Sequence, residues 1–320
     1  MKRYDVAVLG EILIDFTECG VSESGQALFE RNPGGAVANL ACAVARLGGK
    51  SAFIGKVGED INGRFLAGTL EKYGVDTSGL LFEKNAPTTL AFVALADNGE
   101  RSFSFVRKPG ADICISPEDL NDDVINNAEV FHVGSLSLTD EPARSATTEA
   151  LKRAKAAGAI ISCDPNYRAS LWESEERAID GMKLVLSHAD IAKVSEEEAV
   201  LITGIADPVK AAYKLLEDMD IKCIALTMGS EGVTVCMKDG NISIPGNKVD
   251  AVDTTGAGDA FFGAFLRFFT ADGCGLAGLT LDKAARFAMY ANAAAAVCVT
   301  RRGGIPAMAT MEETEAMLKR

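Results

Sequence analysis

Short β-rich apolar runs alternate with helical patterns along most of this chain, and that alternation restricts its fold more than any other feature. YDVAVLG (4–10) reads as a buried strand. AVANLACAVARLGG (36–49) then lines up Val37, Leu40, Val44 and Leu47 on one helical face and stops at Gly48-Gly49. SAFIG (51–55) is a second strand, and a helical segment covers about 63–73. Further strands are expected at 130–136, 159–164, 190–194 and 223–227, flanked by helices such as 141–157 and 207–218. Strand–helix alternation of this kind implies an α/β fold: a mostly parallel central sheet with helices on both faces. With 320 residues, 48% of them hydrophobic, the chain can bury a large core, so a single domain over 1–320 is expected.

Two segments break the rhythm. TTLAFVALADNGERSFSFVR (88–107) is a pair of β-rich runs joined through Asn98-Gly99, a hairpin signal. Its second run alternates Phe103 and Phe105 with serines, as a half-exposed strand does. GVTVCMKDGNISIPG (232–246) is another hairpin, turning at Asp239-Gly240. The first hairpin falls between sheet strands, so it could stand away from the core as a small β lid.

A formal net charge of −13 lacks the basic footprint of a nucleic-acid or membrane-surface protein, although backbone amides can still hold an anion locally. The eight cysteines include no C-x-x-C pair, and the only histidines are His132 and His188. A zinc site or disulfide framework is therefore not expected, and the cysteines read as small buried hydrophobes in a reducing cytosol. No signal-peptide core follows MKRYD, and the longest apolar tract, AMYANAAAAVCV, is too short and alanine-rich to span a bilayer. A soluble, cytoplasmic protein is expected.

The chemistry concentrates in DTTGAGDAFFGAF (253–265). Gly256-Ala257-Gly258 is the turn at the N-terminus of a buried helix. Its glycines let backbone approach a ligand, and the first-turn amides with the helix dipole make an anion site suited to phosphate. Asp259, in the first turn, is set to take a proton from a hydroxyl attacking that phosphate. Taken singly, the segment is also what an ordinary helix start with an acidic first turn looks like. It lacks the third glycine of G-x-G-x-x-G, and no G-x-x-x-x-G-K-[ST] occurs. A second glycine pair, Gly34-Gly35, opens the first helix, with Asn39 near the end of its first turn. Asp15, in GEILIDF, is within reach of that site if the end of the first strand carries it.

Together these segments resemble the ribokinase-like (PfkB) carbohydrate kinases over nearly the whole length, from GEILIDF through PGGAVANLA, RLGGKSAFIGKVGED and DPNYR to DTTGAGDAF. The likeness is strongest to the fructokinases of that family, in TTLAFVAL, GERSFSF, HVGSLSL and ADIAKVSEEE. The resemblance implies ATP-dependent phosphorylation of a sugar hydroxyl, O6 of D-fructose, with magnesium. Asp259 would be the base, and the amides of Gly256, Ala257 and Gly258 the anion hole. Asp15, Gly34, Gly35 and Asn39 would hold sugar hydroxyls, beneath a lid formed by about 16–32 and 88–107.

The same resemblance offers Asn166 and Arg168 toward the phosphates, with an ion pair at the surface as the alternative for the arginine. The family's N-x-x-E stretch here gives Ser195 and Glu198, serine replacing asparagine, and Glu198 would act on magnesium through water. Thr227, Gly229 and Gly232 match the nucleotide loop, and Asn292 the adenine region. Asp253, Thr255, Cys298, Arg301, Gly303 and Ala307 match a monovalent-cation site built mostly from backbone carbonyls, with potassium the expected ion. Some relatives dimerise lid against lid. Other acceptors stay open: ribose, 2-keto-3-deoxygluconate, a nucleoside, or a sugar phosphate held by Arg107 and Lys108. So does a silent sugar sensor on the same fold.

Overall fold

The structure is a computed structural model and describes residues 2–95 and 101–320. The strands, in chain order, are β1 (Tyr4–Leu9), β2 (Leu13–Val21), β3 (Ala27–Gly34), β4 (Ser51–Gly58), β5 (Asp76–Glu83), β6 (Leu90–Leu95) and β7 (Arg101–Val106). Then come β8 (Ala128–Val133), β9 (Ile160–Cys163), β10 (Ile191–Ser195), β11 (Cys223–Thr227), β12 (Gly232–Met237) and β13 (Gly240–Pro245). The helices are α1 (Ala36–Arg46), α2 (Ile61–Lys72), α3 (Asp122–Asn126), α4 (Ala143–Ala156) and α5 (Glu175–Leu186). They continue with α6 (Glu196–Thr203), α7 (Pro208–Met219), α8 (Ala257–Asp272), α9 (Leu281–Val299) and α10 (Met311–Leu318).

Nine strands form one sheet in the order β13-β12-β11-β10-β9-β8-β1-β4-β5. Every pairing from β11 to β5 is parallel, and only β12 and β13 run antiparallel at one edge. The period of two along each strand splits the core cleanly. Val6 and Val8 of β1 pack with α1, α8 and α9 on one face, while Ala7 and Leu9 join the layer holding α4, α5 and α7 on the other. Both faces are thus covered, which is what parallel strands this apolar require. Each buried Val, Leu or Phe side chain contributes roughly 1.5–3 kcal/mol.

Four strands form a second sheet in the order β3-β2-β6-β7, with β2 and β6 parallel and the other neighbours antiparallel. The segment expected at about 16–32 as part of the lid is thus a strand pair, β2 and β3, of this small sheet. β5 went unread, because its run DTSGLLFE has no clear alternation. The strand expected at 130–136 ends earlier, at Val133, and Leu136 already belongs to a 3-10 turn. The Asn98-Gly99 turn lies outside the described residues.

Among the described residues no helix is long and apolar enough to cross a membrane. All eight cysteines are free thiols.

Candidate active site

The parallel strands deliver their C-terminal ends to one cleft of about 880 Å³, and the N-termini of α1 and α8 face it. This is where an open α/β sheet places its ligands. The α8 turn is built by Gly256, whose φ of 77° is left-handed and whose missing Cβ would lie 3.1 Å from Gly304 Cα. The Phe261–Phe262–Phe265 face buries the helix behind it. Within the turn, the Ala257 amide donates back to Thr254 O at 3.2 Å, so an anion there must share or replace that bond.

Asp259 sits in the first turn of α8, 7% exposed. Its Oδ2 accepts from Asn39 Nδ2 at 2.8 Å and its Oδ1 from Asn166 Nδ2 at 3.2 Å. Burial is the main cause that pushes its pKa up to about 7, assisted by the Asp164 charge and opposed by the Asn39 bond and Lys193. A carboxylate held by two amides and titrating near neutrality is suited to general-base work.

Asn166 reaches Asp259 because the chain after β9 makes a tight turn. Its φ of 48° is left-handed, and its amide donates to Asp164 Oδ1 at 3.1 Å. Asp164 in turn pairs with Lys193 of β10, Nζ to Oδ2 at 3.0 Å, and both side chains are buried. Burial opposes the Lys193 charge, but the Asp164 and Glu198 carboxylates more than offset it, and its pKa moves up.

Ser195 and Glu198 form a capping box on α6. Glu198 N donates to Ser195 Oγ at 3.1 Å, and Ser195 N to Glu198 Oε2 at 2.8 Å. Glu198 Oε1 also accepts from Tyr167 N at 2.8 Å. Both carboxylate oxygens thus accept from backbone amides, which fixes the group, and each keeps a lone pair that a water of a hydrated magnesium ion can use. Among the described residues no group of three or more His, Cys, Asp or Glu stands ready to cage a metal.

The other end of the cleft comes from the small sheet and α1. Gly35, with φ 106°, caps α1, and its Cβ would lie 2.6 Å from Glu11 O. Glu11, buried, accepts from Ala36 N at 2.7 Å. Asp15 stands on β2 facing the cleft, and a Cβ on Gly34 would overlap its Oδ2, so Gly34 makes its room. Burial pushes the Asp15 carboxyl up to about 7, against the pull of Arg168. Asn32 and Ala91 are its register partners on either side, and Phe105, the partner of Ala91, lines the cleft too.

Not every expected residue joins this site. Arg107 does not line the cleft: its guanidinium is buried against Asp112 at 2.7–2.8 Å and donates to Thr139 Oγ1 and Leu136 O. That corrects its reading as a substrate ligand, because its donors are already held. Arg168 lines the cleft but is exposed, with Nη1 on Tyr167 O. Thr227 neighbours Ser195 in register, Gly229 opens a 3-10 turn, and Gly232 starts β12 where a Cβ would overlap Ile244 O. Asn292 donates to Ile244 O and Pro245 O, tying α9 to β13.

Asp253, Thr255, Cys298 and Gly303 are brought together. Asp253 accepts from Thr255 N and Gly303 N at 2.7 and 3.0 Å, and Cys298 Sγ lies 3.8 Å from Thr255 O. Arg301 turns instead to Glu313, and Ala307 is buried in the adjoining 3-10 turn.

Three site residues escaped the sequence reading: Lys193, Asp164 and Glu11. A lone cation inside the apolar strand DIAKV was the available signal for the first, since a buried lysine needs a partner.

Residues 3–311 match the model of the pfkB family carbohydrate kinases. The chain is 45% identical over 320 residues to a probable fructokinase-5 of Arabidopsis thaliana, covering 98% of this chain and 97% of the relative. Among solved structures it is similar to a fructokinase with bound ATP from Xylella fastidiosa, at 34% identity and a TM-score of 0.90, covering 99% of this chain and 98% of that one. It is also similar to a fructokinase double mutant from Vibrio cholerae in a form with fructose, ADP and potassium ion bound, at 31% identity and a TM-score of 0.90 over 99% of both chains.

Proposed function

The chain belongs to the pfkB family of carbohydrate kinases, and on that premise we propose that it transfers the γ-phosphoryl group of ATP to the 6-hydroxyl of D-fructose, giving fructose 6-phosphate and ADP. The observation that carries this reading is Asp259: a buried carboxylate with its pKa near 7, at a glycine-opened helix N-terminus and held by Asn39 and Asn166. The fructokinase relatives, one with ATP bound and one with fructose and ADP, supply the acceptor and donor.

In the reaction Asp259 takes the proton of the attacking hydroxyl. The amides of the α8 turn, with Gly256, Ala257 and Gly258 keeping side chains out of the way, hold the phosphate. Asp15, Asn39 and the backbone of Gly34 and Gly35 orient the sugar, Asn166 and Arg168 face the phosphates, and Thr227, Gly229, Gly232 and Asn292 line the nucleotide side. Glu198 would hold the water shell of a magnesium ion, which would supply charge neutralisation for the phosphates when bound. Positioning and charge neutralisation are most of what phosphoryl transfer asks of a protein. A potassium ion would sit on the carbonyls of the 253–255 and 298–303 loops, which hydrogen bonds between Asp253 and Val299 or Gly303 draw together. The small sheet acts as the lid that excludes water. Its outer face, with exposed Phe29, Phe92 and Val106 and open edges at β3 and β7, is read as the surface for a second copy.

The test is ADP release with MgATP against fructose, ribose, 2-keto-3-deoxygluconate, adenosine and fructose 6-phosphate. Fructose should be preferred, and Asp259→Asn should lower kcat by about 10²–10⁴-fold. Preference for another acceptor would discard fructose and keep the mechanism. Sugar binding without turnover in the unmodified chain would favour a sensor.

A further inference from the structure

The cleft holds a buried cation to which neither the family reading nor the sugar assignment gives work. Lys193 is 7% exposed, lines the cleft with Asp259, and places its ammonium 3.1 Å from where a Cβ would stand on Gly258. It therefore lies against the N-terminal turn of α8. A helix N-terminus carries partial positive charge and disfavours a cation, so the arrangement is electrostatically opposed on that side. Asp164 holds it there through both carboxylate oxygens, Nζ to Oδ1 at 3.2 Å and to Oδ2 at 3.0 Å.

If the pair served only to neutralise itself, two apolar side chains would do the same work without the desolvation cost. Its position at the cleft wall points to a ligand. Glu11, Asp15, Glu175, Glu197, Glu198 and Asp259 line the cleft, against the cations Lys193 and Arg168. A polyphosphate entering among those carboxylates needs positive charge close to the transferring group. Arg168 is exposed, whereas Lys193 is fixed and shielded from water, where its charge acts most strongly. An ammonium has three N–H donors, more than one carboxylate uses well.

We propose that Lys193 is a catalytic residue whose ammonium contacts the transferring phosphoryl group at the α8 N-terminus, with Asp164 as the positioning residue that keeps it there. This rests on the kinase reading above. As the bond from the sugar oxygen to the γ-phosphorus forms, the bond from that phosphorus to the β–γ bridging oxygen breaks. The bonding pair leaves with ADP, the hydroxyl proton passes to Asp259, and Lys193 keeps all its protons. Its charge is worth most as negative charge builds on the equatorial and leaving oxygens.

The experiment compares the unmodified chain with Lys193→Met, Lys193→Arg and the double variant Lys193→Met/Asp164→Asn. Binding of MgATP and of adenosine is measured by calorimetry, and kcat by ADP release. The double variant carries the test even where Lys193→Met alone fails to fold, because it removes both members of the ion pair at once. The expected result is that the double variant loses about 10–100-fold in MgATP affinity and about 100-fold or more in kcat, with adenosine affinity unchanged. Lys193→Arg should keep more of the MgATP affinity than Lys193→Met. A double variant that recovers MgATP affinity and kcat to within about threefold of the unmodified chain would reduce Lys193 to a counter-ion and overturn the proposal. If the unmodified chain binds MgATP yet phosphorylates no sugar, the acceptor reading fails, and the MgATP-against-adenosine split still decides the role of Lys193. If it binds no MgATP, both fail.

Discussion

The two ends of the cleft are made of different material. At the α8 end, Lys193 on β10, Asp164 and Asn166 just after β9, and Asp259 in the first turn of α8 belong to a sheet and helix layer covered on both faces, and all four side chains are buried. At the Asp15 end, the ligand-facing groups stand on a four-stranded sheet whose other face leaves Phe29 43% and Phe92 37% exposed. Phosphoryl transfer needs a charge array that does not reorganise, and a close-packed core supplies one. Sugar capture needs an element that can move aside and return, and a small sheet with open edges has fewer contacts to lose. The contrast predicts that damage at the first end falls on kcat and damage at the second on sugar KM.

The sharpest contrast between the two ends should come from placing one methyl at each. Gly256→Ala forces a left-handed residue that costs roughly 1–2 kcal/mol and brings a Cβ 3.1 Å from Gly304 Cα and 3.2 Å from Met308 Cε. The anion turn must shift, and kcat should fall by about 10²-fold with sugar KM nearly constant. Gly34→Ala puts its methyl onto Asp15 Oδ2, so the carboxylate must swing away. Loss of a charged hydrogen bond to the sugar should raise KM by about 10–100-fold and leave KM for ATP unchanged. Steady-state kinetics in both substrates separates the two. Equal effects of both variants on kcat would show that the cleft behaves as one rigid unit.

The same division decided what could be read before the structure. The α8 end was legible because its glycines, its acid and its apolar helix face are contiguous, in thirteen residues. What lay across the chain was not: Asn39 and Asn166 meet Asp259 from 220 and 93 residues away. Asp15 seemed to follow the first strand, yet it lies on β2, in a sheet closed by β6 some seventy-five residues later. Arg107 looked free for an anion because nothing local shows Asp112 folding back on it five residues on. Ser195 and Glu198 carry a signal that was legible locally. S-x-x-E before an apolar run is a capping signature, and the structure uses both side chains that way while also tying Glu198 to Tyr167.

Acidity sharpens the comparison further. Asp259 and Asp15 are both pushed to about 7 from 3.8, with burial the main cause. Between about pH 4 and 7 the folded chain keeps protons that the unfolded chain has released, so stability falls as pH rises through that window and levels above it. For the fully buried Asp259 the loss is on the order of 4 kcal/mol; Asp15, which is less enclosed, should contribute less. Thermal unfolding from pH 5 to 8 should therefore flatten more in Asp259→Asn than in Asp15→Asn. Activity should run the other way, since the base must be ionised: kcat should rise by about tenfold per unit below pH 7 and then level. An activity already flat at pH 5.5 would mean that Asp259 is ionised throughout and is not the group that limits the rate.

The smallest effect expected concerns the outer face of the small sheet. Phe16 stacks on Phe92 at 5.2 Å and Phe29 meets Phe92 edge-on at 5.9 Å, so the face presents an ordered aromatic patch rather than scattered apolar side chains. Phe16 and Asp15 are consecutive on β2 and point to opposite sides, which couples the patch to the sugar end and not to the α8 end. If a second copy covers it, light scattering should give twice the chain mass, and Phe92→Asp should halve it. With the sheet no longer braced, sugar KM should rise a few-fold, about 1 kcal/mol or less, while kcat and KM for ATP stay put. A monomeric unmodified chain would assign the patch no partner copy. A dimer whose dissociation lowered kcat instead would break the contrast between the two ends, because the brace would then reach the charge array.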